Sequence, residues 1–310
     1  MPFSFILKRM IEVASLCKMN KRIKSAEYLS EIESIFKCPI CELPMKVFEK
    51  KSLICSNNHM FDIAKQGYIN LTTRPIKTKY NKGLFDARRK LVAEDGFFEP
   101  LSQAIAEIIK EHIAVKKETI SLIDMGCGEG SHLSNICDIV RSDYKKTVTG
   151  VGIDISKEGI LIASKNYANK TWAVADLADT PFRDKQFDVI LNLLSPSNYA
   201  EFNRLLKADG LVVKVVPQSG YLKELREVIF DEPEKHSYSN ADTVKRFNKN
   251  FQLVDRSRLS YTVILGSRSI QSLVHMTPLL WAATENQVKS FLGKDATKIT
   301  VDLEILIGKR

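Results

Sequence analysis

Apolar positions along the chain follow two regimes. From Phe97 to about Val115 they recur every three or four residues (Leu101, Ile105, Ile108, Ile109), the spacing of one helix face. From Ser121 onward, short apolar runs alternate with amphipathic stretches. Strands are predicted at Ser121–Met125, Val148–Ile155, Trp172–Ala175, Phe187–Leu194 and Leu211–Val216. The helices between them are predicted at Gly130–Val140, Ser156–Ala168, Tyr199–Lys207 and Tyr221–Phe230, with Ser156 as an N-cap and Glu158 in the first turn. Two late strands, Tyr261–Leu265 and Ile299–Ile307, flank a helix at Asn286–Leu292. Five βα steps closed by a β-pair predict an α/β fold, a doubly wound Rossmann-like sheet, mostly parallel with an antiparallel edge. The expected division is a leader over 1–33, partly helical or disordered, a small module over 34–72, a basic linker over 73–96 and the α/β domain over 97–310.

Composition adds bounds. With 310 residues and 44% apolar content the chain can bury a large core, and no apolar run approaches the roughly 18 residues that span a bilayer. Met1–Leu7 is apolar but is followed by Lys8 and Arg9, the reverse of a secretory signal, so a cytoplasmic, membrane-free protein is expected. The formal net charge of +9 makes a polyanionic partner plausible. It concentrates between Arg74 and Lys90, where Arg74, Lys77, Lys79, Lys82, Arg88, Arg89 and Lys90 face a single acid, Asp86. Charge alone does not separate a nucleic-acid grip from a solvated linker.

Six cysteines, with Cys17, Cys55, Cys127 and Cys137 scattered and only Cys38 and Cys41 paired, do not form a disulfide framework. Cys38, Cys41, Cys55 and His59 instead follow C-x2-C-x13-C-x3-H, the spacing of a closed structural zinc knuckle, with Pro39 and Asn57-Asn58 shaping its turns. Such a site supplies folding energy rather than catalysis. Downstream, Phe61, Tyr68 and Ile69 either stack on bases or fill the small core that a zinc module needs; Phe61 is assigned to the core.

The run Asp124-Met-Gly-Cys-Gly-Glu-Gly130 breaks a strand into alternating glycines ahead of a helix, the form of a loop that lets a ligand lie against the main chain. The third glycine comes one residue early for a dinucleotide fingerprint, and no Gly-Lys-Ser/Thr phosphate loop is present. Acids stand at successive strand ends, Asp124, Asp154 and Asp176, with Asn192–Asn198 at the fourth. Each alone is an ordinary cap or loop residue. In series they suit a ligand with hydroxyls, an exocyclic amine and a cationic centre, and would repel a bare pyrophosphate.

These residues resemble the class I S-adenosylmethionine-dependent methyltransferases in their glycine loop, second-strand acid and third-strand acid. The zinc knuckle, Gln66-Gly-Tyr-Ile-Asn-Leu71, Phe85-Asp-Ala-Arg-Arg89, Leu194-Ser-Pro-Ser-Asn198 and Met276-Thr-Pro278 occur in the order seen in the guanine-N1 methyltransferases of large-subunit ribosomal RNA, a resemblance covering about residues 35–310. It implies S-adenosylmethionine as cofactor, a structural Zn2+, a ribosomal RNA hairpin as partner, and allows a homodimer. It further implies that Asp154, with Ile155 beside it, holds the ribose hydroxyls, and that Asp176 and Leu177 edge the adenine, Asp179 being the alternative acid. Asp124, Gly126, Cys127, Gly128 and Gly130 would approach the methionine part, with His132 lining the pocket. Asn192, Ser195 and Asn198 would orient the guanine edge around Pro196, turn formation being their plainer role. No unambiguous general base stands out. A small-molecule methyltransferase with a zinc module, and a non-catalytic RNA-binding protein on a lapsed scaffold, are the alternatives; the intact Asp124–Gly130 loop speaks against the second.

Overall fold

The computed structural model describes residues 21–310 apart from 77, 116 and 231–237. Cys17, Lys77 and the first twenty residues of the expected leader lie outside the described residues. The rest of the leader forms helix α1 (residues 21–32), which buries Ala26 and Leu29. The Tyr28 hydroxyl anchors it by accepting the Gly150 N–H at 3.1 Å. This part of the leader therefore belongs to the packed structure.

Strands β1 (Met45–Phe48), β2 (Ser52–Cys55) and β3 (Met60–Asp62) form a small antiparallel sheet. The chain then enters the large sheet at β4 (Ile69–Asn70). Next come α2 (Lys82–Arg89), prolonged by a π-turn at Lys90–Glu94, and α3 (Glu99–Ile109). The alternating part runs β5 (Thr119–Met125), α4 (Ser131–Asp143), β6 (Thr147–Asp154), α5 (Lys157–Asn166), β7 (Thr171–Val174), β8 (Phe187–Leu193), α6 (Tyr199–Leu205), β9 (Leu206–Pro217) and α7 (Lys223–Ile229). It closes with α8 (Ala241–Asn250), β10 (Gln252–Gly266), α9 (Ser267–Met276), a 3-10 turn at Pro278–Ala282, α10 (Glu285–Leu292) and β11 (Ala296–Lys309).

The large sheet has the order β10-β11-β9-β8-β5-β6-β7-β4. All pairs from β4 to β9 are parallel; β9–β11 and β11–β10 are antiparallel. Strand order reverses between β5 and its neighbour β8, and that switch opens a crevice at their carboxyl ends. Among the described residues no helix is long and apolar enough to cross a membrane.

Three local expectations differ. The basic stretch 73–96 is not merely a linker: Leu84, Phe85, Leu91 and Val92 recur at helical spacing and are buried, which draws α2 onto the α/β core. Strand β10 begins at Gln252, well before Tyr261, because its charged positions are matched across the ladder: Arg258 donates to both carboxylate oxygens of Asp302 at 2.8 Å, and Arg256 meets Glu304 at 2.5 Å. Ser156 occupies the N-cap of α5 without capping it. Its hydroxyl finds no partner among the described residues, and Asp154 Oδ1 takes the Ser156 N–H instead, at 2.8 Å.

The small sheet is continuous with one face of the large one. Phe36, Met45 and Leu53 share a core with Ile123, Val151 and Ile190. Phe36 meets Phe182 at 5.0 Å, and the Lys37 and Arg183 N–H groups donate to the Pro181 and Ile35 carbonyls at 3.1 and 2.8 Å.

Candidate metal centre and cofactor site

Cys38 and Cys41 leave the turn ahead of β1, Cys55 ends β2 and His59 precedes β3, so the small sheet brings four ligand atoms within 4.8 Å of one another. Cys41 Sγ lies 3.7 Å from Cys55 Sγ, and His59 Nδ1 lies 3.5 and 3.6 Å from the sulfurs of Cys38 and Cys55. A tetrahedron with Zn–S bonds of about 2.3 Å has edges of roughly 3.8 Å, whereas a disulfide would bring two sulfurs to about 2.05 Å. The residues fit zinc, and fit no disulfide. The Ile40 N–H points at Cys38 Sγ at 3.4 Å, the kind of donor that steadies a thiolate on a metal.

At the switch point, the N–H groups of Gly126 and Cys127 both donate to the Ile153 carbonyl at 2.9 Å, folding the loop over the end of β6. Gly126 has φ +89°, and a Cβ there would come within 2.8 Å of Ser195. Gly130 has φ +86° and a Cβ would meet the Trp172 ring at 2.6 Å, so glycine is what lets α4 start against that indole. Asp154 accepts the Gly128 N–H at 2.8 Å on one oxygen and the Ser156 N–H on the other. Each oxygen keeps a lone pair for a ligand.

Behind the loop, polar atoms are buried without partners among the described residues: Asp124 Oδ1, Glu129 Oε1, both ring nitrogens of His132, and Arg88 Nε, which lies 3.9 Å from Glu129 Oε1. Such groups are costly to leave unpaired, and of them Arg88 alone reaches the cavity in front of the loop. Burial pushes Asp124 up to about 7, with the Arg88 guanidinium opposing it, and also raises Glu129 and Asp154. Burial drives His132 down to about 3, leaving a neutral ring packed 5.1 Å from Phe98.

A cavity of about 530 Å³ runs from this loop to the ends of β8 and β9. Of the residues singled out from sequence, Gly126, Gly128, Asp154, Ile155, Leu177 and Ser195 line it. Asp124, Cys127, Gly130 and His132 are buried and do not line it. Asp176 is exposed, and its carboxylate accepts the Ala178 N–H at 2.8 Å. Asn192 is fully buried: its amide nitrogen donates to Met125 O, Ser195 Oγ and Pro196 O at 2.7–2.9 Å, and its oxygen accepts from Ser197 and Lys214. It braces the Leu194–Asn198 turn rather than reaching a substrate edge. Asn198 caps α6, accepting the Glu201 N–H at 3.2 Å.

Among the charged residues that line the cavity, Arg88 and Lys214 were not singled out as site residues. Arg88 was counted only as part of the basic stretch, although the Phe85-Asp-Ala-Arg-Arg89 motif contains it. Lys214 is buried on β9; its ammonium donates to Asn192 Oδ1 at 2.6 Å and Ser195 O at 3.4 Å, and burial lowers it to about 8. One lysine inside the apolar run Leu211-Val-Val-Lys-Val-Val216 was the available signal.

A zinc-ribbon family model described as RlmA, N-terminal, matches residues 36–82, and a methyltransferase-domain model matches residues 122–210. The chain is 47% identical over 279 residues to YxjB of Bacillus subtilis, named as a candidate 23S rRNA (guanine-N1) methyltransferase, covering 89% of this chain and 98% of that protein. The chain belongs to the 23S rRNA (guanine-N1) methyltransferase family. It is also 28% identical over 246 residues to the 23S rRNA (guanine(748)-N1) methyltransferase of Streptomyces fradiae, covering 79% of this chain and 85% of that protein. As a member of this family it takes S-adenosylmethionine as cofactor and holds zinc in the ribbon. Of the carboxylates at the loop, Asp154 lines the cavity and suits the cofactor's hydroxyls, whereas Asp124 and Glu129 lie buried behind the loop.

Cofactor binding should depend on pH. A cation bound in the cavity would lower the pKa of Asp124, buried behind the loop, from about 7, so at pH 6 the carboxyl must give up a proton on binding and at pH 8 it is already ionised. Cofactor affinity is expected to rise from pH 6 to 8. Calorimetry in buffers of different ionisation enthalpy should read proton release near pH 7 that disappears in Asp124→Asn.

Proposed function

We propose that this enzyme transfers a methyl group to N1 of a guanine presented by a hairpin of 23S ribosomal RNA. The observation that carries the reading is that one cavity joins the glycine loop and Asp154 to Ser195 and Lys214, so donor and acceptor sites share one enclosure. S-adenosylmethionine supplies the electrophilic methyl when bound. The protein's task is to hold the guanine in line and to remove the N1 proton, since protonated N1 is a weak nucleophile.

Lys214 is assigned the base. A neutral amine that donates its two hydrogens to Asn192 Oδ1 and Ser195 O keeps its lone pair for the guanine N–H. A pKa near the working pH is what a general base needs. Asn192 positions that amine, and Ser195, whose hydroxyl donates to Met125 O at 2.8 Å, holds the cavity wall. The target base must leave its stack to enter, which costs a few kcal/mol and less from a loop, favouring a hairpin. The zinc module over 34–72 and the basic stretch beginning at Arg74 are read as the RNA grip, with residues from 97 onward as the catalytic domain.

Methyl-tritiated S-adenosylmethionine with an unmodified hairpin transcript of the 23S RNA tests this. N1-methylguanosine is expected as the labelled nucleoside after digestion. Label on another position, or none on RNA with the cofactor site intact, would remove the reading. Small-molecule specificity would instead show as weak RNA binding indifferent to salt.

A further inference from the structure

Tyr80, just ahead of α2, and Trp281, in the 3-10 turn Pro278–Ala282, place their rings 5.7 Å apart at 48°. Tyr80 lines the cavity and also contacts Phe85 at 6.1 Å; Pro278 and Leu279, just before Trp281, line it too. The pair thus stands at the cavity's mouth, between the two segments that roof it. Both rings are open to solvent, Trp281 at 53% and Tyr80 at 42%. Single exposed apolar side chains are commonplace. An exposed tryptophan paired with an exposed tyrosine at the entrance of a ligand cavity is not, because each forgoes burial that the core provides elsewhere: the other tryptophan, Trp172, is 1% exposed.

The charge around the pair narrows the ligand. Arg74 and Lys79 are exposed on the segment leading to Tyr80, and no acid lies between Arg74 and Lys82. Open π-faces beside cations are the chemistry that binds single-stranded nucleic acid, stacking for bases and charge for phosphates. We propose that Tyr80 and Trp281 form a stacking platform for a nucleobase that flanks the target guanine in a single-stranded loop. With the guanine inside the cavity, its neighbour in the strand remains at the mouth, against these rings. This rests on the RNA reading of the site and extends it to a second base.

Intrinsic fluorescence tests it. With only two tryptophans in the chain, the emission lost in Trp281→Phe reports the exposed indole alone. Adding the 23S hairpin transcript to the full-length enzyme is expected to quench that component. Trp281→Ala should raise the RNA Kd roughly 10-fold, the scale of one lost stack. Its slope of log Kd against log salt should stay unchanged, because no phosphate contact is lost. Trp281→Phe should restore most of the affinity. A truncation at a half-exposed site is not expected to unfold the protein. If the transcript is bound and methylated while the Trp281 emission and the Kd of Trp281→Ala stay as in the wild type, the platform is wrong and the methylation reading stands. Quenching by S-adenosylhomocysteine alone, with no further change on adding RNA, would make the pair a cover for the cofactor and overturn the proposal. RNA-dependent quenching without any guanine methylation would keep the platform and overturn the methylation reading.

Discussion

Replacing Lys214 with methionine is expected to lower the rate of guanine methylation roughly 10²- to 10⁴-fold, the usual contribution of a positioned base. Cofactor affinity should change far less than the rate, because the Lys214 ammonium bonds Asn192 and Ser195 and makes no hydrogen bond to the Asp124–Gly130 loop. Methionine keeps the apolar stem, and Asn192 Oδ1 still accepts the Ser197 hydroxyl at 2.9 Å, so that side-chain oxygen is not orphaned. The pH profile gives the sign. Burial holds the amine at about 8, and the neutral form is the base, so the wild-type single-turnover rate should climb as pH rises through 8 and then level. The methionine variant should lose that limb. Lys214→Arg discriminates further: a guanidinium stays charged in this range, so arginine fails to rescue a base but would rescue a fixed positive charge. Rescue by arginine, with a rate falling above pH 8, would remove Lys214 as the base.

Stability should move the other way, which separates lost chemistry from misfolding. The folded-state pKa of Lys214, about 8, lies below the ordinary lysine value of about 10.4. Between those values the unfolded chain binds the extra proton, so folding is favoured as pH rises through that window, and below pH 8 the buried charge is a net cost. At pH 7 the methionine variant is expected to melt above the wild type.

The second large effect is at the metal. Cys38→Ser is expected to abolish zinc binding and to unfold the three-stranded sheet. Structural zinc contributes apparent binding energies of about 10–16 kcal/mol at neutral pH, comparable to the whole net stability of a typical domain, about 5–15 kcal/mol. The damage should spread, because Cys38, Met45 and Leu53 share a core with the inner strands β5, β6 and β8. Metal analysis of the purified variant and limited proteolysis read this directly: no zinc, and new cleavage between residues 38 and 62, with RNA affinity falling more than cofactor affinity. Zinc content equal to that of the wild type would take Cys38 out of the ligand set.

The alternating pattern from Ser121 to Val216 located all five core strands to within a few residues, because buried parallel strands must be nearly continuous in apolar side chains. The four metal ligands were readable from spacing alone, since two short turns suffice to gather them. The glycines of the Asp124–Gly130 loop were readable for a similar reason: a positive φ is a property of the local backbone. The strand β10 and helices α8 and α9 were misjudged or missed where polar residues interrupt the apolar pattern, as at Arg256 and Arg258, whose charges only make sense opposite Glu304 and Asp302 of β11.

Roles within the site depended on the assembled structure. Asn192 was expected at the guanine edge and is buried as a brace, its amide satisfied by Met125 and Lys214 from distant segments together with Ser195, Pro196 and Ser197 of its own turn. Lys214 was one charge in an apolar strand until the packing of β9 beside β8 set it against that amide. Arg88 left a basic stretch to stand beside Glu129, and Tyr80 met Trp281 across most of the chain's length. Periodicity, ligand spacing and glycine conformation are short-range and were determined by the sequence itself. Burial, hydrogen-bond satisfaction and the pKa shifts they cause arise only when remote segments pack together, so the tertiary structure decided which residues could do chemistry.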